Sequence, residues 1–175
     1  MDHRVLENFQ KMLVNRGYTD IKVVTEEALS YVTAVSGSGK SVRSRFTGGA
    51  KLNIGMVKEC INEFVESKVN HGIIVFDGAP TSQGKKMLQN LDGTGTIRVE
   101  LFPSQFFQQD ITKHKYVRPH IKLSKRQAKE VKDCYGLKLP ILLASETQSR
   151  YHDFRPGDIV KIIRRNNAIA YRLVK

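Results

Sequence analysis

The chain has 175 residues, 40% of them hydrophobic and 26% charged, which suits one or two globular domains and gives no case for a disordered chain. No apolar run reaches the roughly 18 residues of a membrane span, and the N-terminal Met1-Asp-His-Arg4 lacks the apolar core of a secretory signal. The net charge of +12 is uneven: residues 1–108 hold 13 Lys and Arg against 11 acids, and residues 109–175 hold 16 against 6. That asymmetry points to a polyanion, or to an acidic protein surface, as partner of the C-terminal part.

Along the chain, Val5, Leu6, Phe9, Met12 and Leu13 recur at helical spacing, and Gly17 ends the run. Thr25-Glu-Glu27 predicts the N-cap and acidic first turn of a second, weaker helix toward Val35. Residues 36–50, rich in Ser, Gly and basic side chains, predict a loop, and Leu52 to Ile54 a short strand. Met56, Val57, Cys60, Ile61, Phe64 and Val65 mark a strongly amphipathic helix. Beyond Gly72, the unbroken apolar run Ile73 to Phe76 predicts a strand buried on both faces. The turn Asp77 to Ser82 leads into a helix with Met87, Leu88 and Leu91 inward, closed by Asp92-Gly-Thr-Gly95. Ile97 to Phe102 alternates as a strand. Strand, helix, strand, helix, strand over 50–102 predicts right-handed crossovers and a small α/β domain with a mixed sheet, residues 1–108.

Pro103 to Asp110 reads as the junction. Ser124 and Gln127 then form a capping box, Leu123 staples onto Ala128, and Ala128, Val131, Cys134 and Tyr135 make an apolar stripe that Gly136 ends. Leu139-Pro140 blocks continuation, and a short segment at Ser145 to His152 leads into a closing hairpin. Pro156-Gly157 turns the chain, Ile159 to Arg164 is β-branched, Asn166-Asn167 tolerates the left-handed backbone of a tight loop, and Ala168 to Val174 returns with Tyr171 and Leu173 on one face. Residues 109–175 are therefore predicted to be an α+β domain with a small sheet. Both cysteines lie in predicted helices among apolar neighbours, which predicts buried free thiols in a reduced, intracellular setting.

The one enzymatic signal is Ala34-Val-Ser-Gly-Ser-Gly-Lys-Ser41, a loose nucleotide-binding loop with Lys40 and Ser41 for phosphate and metal and Asp77 as a partner acid. Its setting argues against it, because Val42 to Thr47 is polar and Gly48-Gly49 stops any helix after it. The five histidines have no metal-ligand spacing, so neither metal nor cofactor is expected. No nucleophile elbow occurs. Two basic features suit nucleic acid: the turn Gly78 to Lys86, whose free N–H groups with Lys85 and Lys86 can meet a phosphate backbone, and the ladder Lys113, Lys115, Arg118, Lys122, Lys125, Arg126, Lys129 and Lys132. With Tyr116 as the ladder's one aromatic, base stacking is not expected.

Arg150-Tyr151, Pro156-Gly-Asp-Ile-Val-Lys-Ile-Ile-Arg164 and Tyr171-Arg-Leu-Val174 resemble the end of the fifth-largest subunit of eukaryotic RNA polymerase II. That family is shared by the three nuclear polymerases, and its archaeal counterpart is a short form with the C-terminal domain alone. Leu139-Pro140, the capped helix from Leu123 to Tyr135, and Ile111 to His114 before Val117-Arg-Pro-His120, similar to the family's short strand and turn, extend the likeness. Arg16-Gly-Tyr18, Ile73-Ile-Val75 and Ala79-Pro-Thr-Ser82 carry it upstream, with Pro-Thr-Ser where the family has Thr-Pro-Ser and Glu146 where it has Asp. The resemblance implies a non-catalytic polymerase subunit of the two-domain form, from a divergent eukaryote or a large DNA virus. Its jaw domain (1–108) would lie beside downstream duplex DNA, with Ala79, Pro80, Thr81, Ser82, Lys85 and Lys86 as contact candidates. Its assembly domain (109–175) would dock on the largest subunit, with His114, Pro119, His120, Arg150, Tyr151, Gly157, Lys161, Arg164, Tyr171 and Arg172 as docking candidates and Tyr171 in its core. It would work in the nucleus of a cell, or in the cytoplasmic factory or virion of a virus.

Overall fold

The computed structural model describes residues 2–26, 29–49, 52–78, 80–84, 86, 97–136 and 138–175. The chain divides into two units, Met1–Asp110 and Ile111–Lys175. In the first, helix α1 (His3–Asn15) starts where the Asp2 side chain accepts the Arg4 N–H and ends where Gly17 takes a positive φ of 87°. It buries Val5, Phe9, Met12 and Leu13.

Strands β1 (Tyr18–Glu26), β2 (Leu29–Ser36), β3 (Ser41–Phe46), β4 (His71–Phe76) and β5 (Arg98–Pro103) make one sheet in sequence order. The pairs β1–β2 and β2–β3 are antiparallel; β3–β4 and β4–β5 are parallel. Alternation puts Val32, Ala34, Val42, Ser44, Phe46, Ile73 and Val75 on the face toward α1, where Phe9 meets Phe46 and Phe107 edge to face at 5.2 and 5.3 Å. Helix α2 (Ile54–Glu66) covers the other face, packing Val57, Cys60, Ile61 and Phe64 against Ile74, Phe76 and Val99. Gly72 permits that closeness: a Cβ there would stand 2.3 Å from a Phe64 ring carbon.

The expectations for α2, β4 and β5 hold, and the predicted mixed sheet is present. Others fail for identifiable reasons. The helix predicted from Thr25 to Val35 is the β1–β2 hairpin, because the runs around Ile21 to Thr25 and Tyr31 to Val35 are β-branched and alternate, which outweighs a local cap signal. The loop predicted at 36–50 shrinks to the turn at 37–40, with Gly39 at φ 78°, followed by β3. The alternation of β3 is masked in the sequence by two polar residues that are both buried. Ser44 donates to the Val32 carbonyl and accepts the Val32 N–H, and Arg45 pairs with Glu63 and Glu59 of α2. No strand forms at Leu52 to Ile54; Asn53 accepts the Met56 N–H and starts α2 there. The predicted helix around Met87 to Leu91 and its closing turn lie outside the described residues.

In the second unit, β6 (His120–Lys122), β8 (Ile159–Ile163), β9 (Ile169–Val174) and β7 (Ile141–Leu142) form a sheet in that spatial order, antiparallel except for β7 with β9. Its core is Leu142, Phe154, Val160 and Val174, with Ala144 and Ile162 against them. Helix α3 (Lys125–Tyr135) carries the expected capping box on Ser124 and Gln127 and ends at Gly136, φ 76°. Helix α4 (Thr147–His152) precedes the hairpin, whose loop has Asn167 at φ 58°. Two expectations are corrected here. Only Val131 of the α3 stripe is buried; Cys134 is exposed, and Tyr135 is 65% exposed and meets Tyr171 at a tilt, ring centroids 5.5 Å apart. One short helix on a small sheet covers a single line of side chains, and Cys134 is off it. Ile111–Lys113 is a 3-10 turn, not a strand.

Candidate nucleic-acid interface and docking surface

The turn after β4 leaves the sheet through Gly78, whose φ of 75° suits only glycine well. Thr81 anchors it: its N–H reaches the Leu52 carbonyl at 3.1 Å, and its hydroxyl accepts the Gly84 N–H at 3.2 Å. Thr81 is thus the N-cap of the helical residues 82–84, and it occupies one N–H group that was expected to be free. Thr81, Ser82 and Lys86 are exposed and Pro80 is half-buried. Ala79 and Lys85 lie outside the described residues.

The glycine-rich run Ala34 to Ser41 is not a nucleotide-binding loop. It is the tip of the β2–β3 hairpin, closed by Gly39 N–H to Ser36 and Ser36 N–H to Lys40. A phosphate cradle needs a strand, a loop and a helix start, whereas Ser41 begins a strand. Lys40 precedes β3 and Asp77 follows the parallel β4, so they sit at opposite ends of the sheet, roughly 20 Å apart for six residues at about 3.3 Å each. The rival enzymatic reading fails on this geometry.

The docking candidates of the second unit fall on several surfaces. Pairing places Ile121, Lys161 and Tyr171 on one face of the sheet with Ile163, Ile169 and Leu173. The opposite face carries His120 and Arg172 beside the core residues Val160 and Val174. Tyr171 is half-buried on the first face, which corrects its assignment to the core. Ile121 and Ile169 there are 46% and 51% exposed, and Ile141 on edge strand β7 is 47% exposed. These isoleucines were missed in the sequence. Tyr151 is buried, Arg150 is half-buried, and His114, Gly157 and Arg164 are exposed. Pro119 and His120 line a cavity of about 280 Å³ with Thr112, Val117, Arg118, Gln148 and His152, where His120 Nδ1–H donates to the Arg118 carbonyl at 2.6 Å.

A buried polar cluster also escaped the sequence reading. The Glu100 carboxylate accepts two bonds from Arg16 at 3.0 and 3.2 Å, one from His71 Nε2–H at 2.7 Å and one from Arg98 at 2.9 Å. Burial acts to raise the Glu100 pKa, but Arg16, His71 and Arg98 overcome it and hold the carboxyl well below its usual range. Burial lowers the His71 pKa, and the neutral ring can accept at Nδ1 from the Tyr18 hydroxyl, 3.5 Å away. With three donors on Oε1 and one on Oε2 of Glu100, the cluster clamps α1, β1, β4 and β5 rather than offering an acid or base. Burial likewise pushes the Cys60 thiol up to about 11, which keeps it an inert thiol. Among the described residues, no group of three His, Cys, Asp or Glu side chains could hold a metal.

Residues 109–174 match the RNA polymerase Rpb5 C-terminal domain. A DNA-directed RNA polymerase subunit 5-like protein of Arabidopsis thaliana is 28% identical over 89% of this chain and 75% of its own length. A subunit common to DNA-directed RNA polymerases I, II and III of Dictyostelium discoideum is 27% identical over 73% of this chain and 68% of its own. A protein named as a DNA-directed RNA polymerase subunit of Invertebrate iridescent virus 6 is 30% identical over 58% of this chain and 60% of its own. The solved apo structure of EndoMS aligns with 59% of this chain and 48% of its own, at 17% identity and a TM-score of 0.36, a likeness too low to carry an argument. The capped helix, the short edge strands and the closing hairpin all lie inside the matched segment, so residues 109–174 are similar to the Rpb5 C-terminal domain and the chain resembles DNA-directed RNA polymerase subunits of that kind.

Proposed function

We propose that this chain is a non-catalytic subunit of a multisubunit DNA-directed RNA polymerase. Its N-terminal part, 1–108, acts as the jaw domain beside downstream duplex DNA, and its C-terminal part, 109–175, as the assembly domain that docks on the largest subunit. The Rpb5 match over residues 109–174 carries the reading. The relatives named as subunits of polymerases I, II and III, and the viral one, support assembly with other polymerase subunits. The exposed isoleucines beside Lys161 and Tyr171 suit a surface that another protein covers, because a lone domain seldom leaves such residues grouped on a sheet face. The turn at Pro80, Thr81 and Ser82, with Lys86, is the proposed DNA contact of the jaw domain, made to the backbone and without sequence preference. The compartment follows the polymerase: the nucleus for a cellular enzyme, the cytoplasmic factory or virion for a viral one.

Affinity purification of the tagged chain from its native source tests this. The two largest polymerase subunits should co-purify with it in near-equal amounts. A stable solitary pool with no polymerase attached would refute the proposal.

A further inference from the structure

The basic ladder of the second unit resolves into a defined groove. Lys122, Leu123, Ser124, Lys125, Ala128, Lys129, Lys132, Gly157, Asp158 and Ile159 enclose an open volume of about 590 Å³ between α3 and the start of β8. Lys125, Lys129 and Lys132 stand at helical positions i, i+4 and i+7, so their side chains share one face of α3. Two carboxylates nearby are committed elsewhere, and Asp133, one turn beyond Lys129, makes no ion pair with these lysines. Asp158 takes Lys122 at 2.7 Å and the Arg155 N–H at 2.7 Å, and Glu130 takes Arg126 at 3.1 Å on another side of the helix. Among the described residues, none of the three groove lysines has a carboxylate partner. Three exposed ammonium groups in a row beside a cleft, with no ion pair among the described residues, suit an anionic occupant.

We infer that this groove binds the phosphate backbone of nucleic acid, independently of the turn at Pro80 to Ser82 and of the docking face. The row is about 10 Å long at 1.5 Å per residue, with neighbouring lysines about one helical turn apart, long enough to meet consecutive phosphates of one strand. The charges are ammonium points without a guanidinium fork, which suits phosphate oxygens in any orientation better than the paired bonds of a carboxylate. No aromatic side chain lines the groove, so bases are not stacked and no sequence is read. Its apolar floor is small, with Leu123 and Ala128 half-buried and Ile159 buried. An acidic amphipathic peptide would find no pocket there for a large anchor.

The test is fluorescence anisotropy of a labelled mixed-sequence duplex with the full chain, titrated at several salt concentrations. Neutralising the row as Lys125→Gln, Lys129→Gln and Lys132→Gln should weaken binding at least tenfold at low salt. It should also make the slope of log K against log salt shallower by about 2.7, at about 0.9 for each phosphate no longer neutralised. Removing equal charge at Lys113, Lys115 and Lys138, which do not line the groove, should change the slope by less than about 1. Equal effects of the two triple variants would reduce the groove to diffuse attraction and overturn the proposal. So would an unchanged slope, or a loss of poly-glutamate binding with duplex binding intact. Should the triple variant fold poorly by circular dichroism, Lys129→Gln alone must still lower the slope by about 0.9.

Discussion

The two units solve the burial problem differently. The first covers both faces of its sheet, α1 on one and α2 on the other, and adds a cluster of phenylalanines at Phe9, Phe46, Phe102 and Phe107. The second has a four-stranded sheet, a core of Leu142, Phe154, Val160 and Val174, helix α3 that buries only Val131, and the short α4 that buries Ser149 and Tyr151. It leaves Ile121, Ile141 and Ile169 about half exposed. A small domain buries a smaller share of its surface than a large one. Here the shortfall is concentrated on one face and one edge of a sheet, where a partner can complete it. The first unit also exposes Val14, Val35 and Val65, but the grouping of Ile121 and Ile169 on one sheet face is what motivates the docking proposal for the second.

Substitutions can break or sharpen that contrast. Phe64→Ala should cost about 3–5 kcal/mol, because the fully buried ring holds α2 on the sheet, and denaturant unfolding followed on the first unit measures it. Glu100→Gln should cost a similar amount, about 3–5 kcal/mol, since the buried Arg16 then loses the carboxylate charge that faces it. Gly72→Ala should cost about 1–3 kcal/mol as the new methyl group pushes Phe64 aside. In the second unit, Tyr171→Ala should cost only about 1 kcal/mol, the loss of one half-exposed ring pair with Tyr135, while still impairing polymerase assembly. A loss of about 3 kcal/mol or more in the isolated chain would return Tyr171 to the core.

The smallest effect concerns pH. His71 has a lowered folded pKa, so the unfolded chain takes up a proton near the ordinary 6.5 that the folded chain refuses. The stability of the first unit should therefore fall as pH drops through about 6.5, and hydrogen exchange at β4 and β5 should quicken. His71→Gln should flatten that dependence. Exchange that is indifferent to pH after correction for intrinsic rates would contradict a buried neutral His71.

Much of this was legible in the chain. The α2 stripe, the apolar β4, the Ser124 capping box and the Asn166-Asn167 hairpin each write their structure locally, in spacing and turn chemistry. What was missed depends on partners distant in sequence. Ser44 and Arg45 read as loop residues until Val32 and Glu63 satisfy them. Arg16 and Glu100, 84 residues apart, become one cluster only when the end of α1 meets β5. Ile121 sits between His120 and Lys122 in a three-residue strand, too short for alternation to show that its side chain is left about half exposed. The DNA-contact turn was legible as a capped turn, but not that Thr81 consumes one of its free N–H groups.

The central claim is that the exposed sheet face of the second unit is completed by a polymerase. Ile121→Glu with Ile169→Glu changes two exposed side chains and should leave circular dichroism and thermal unfolding of the chain nearly unchanged. Co-purification of polymerase with this variant, against the unaltered chain, is the most direct measurement. The account predicts that the large subunits are lost from the variant; full recovery of polymerase with a folded variant would contradict it.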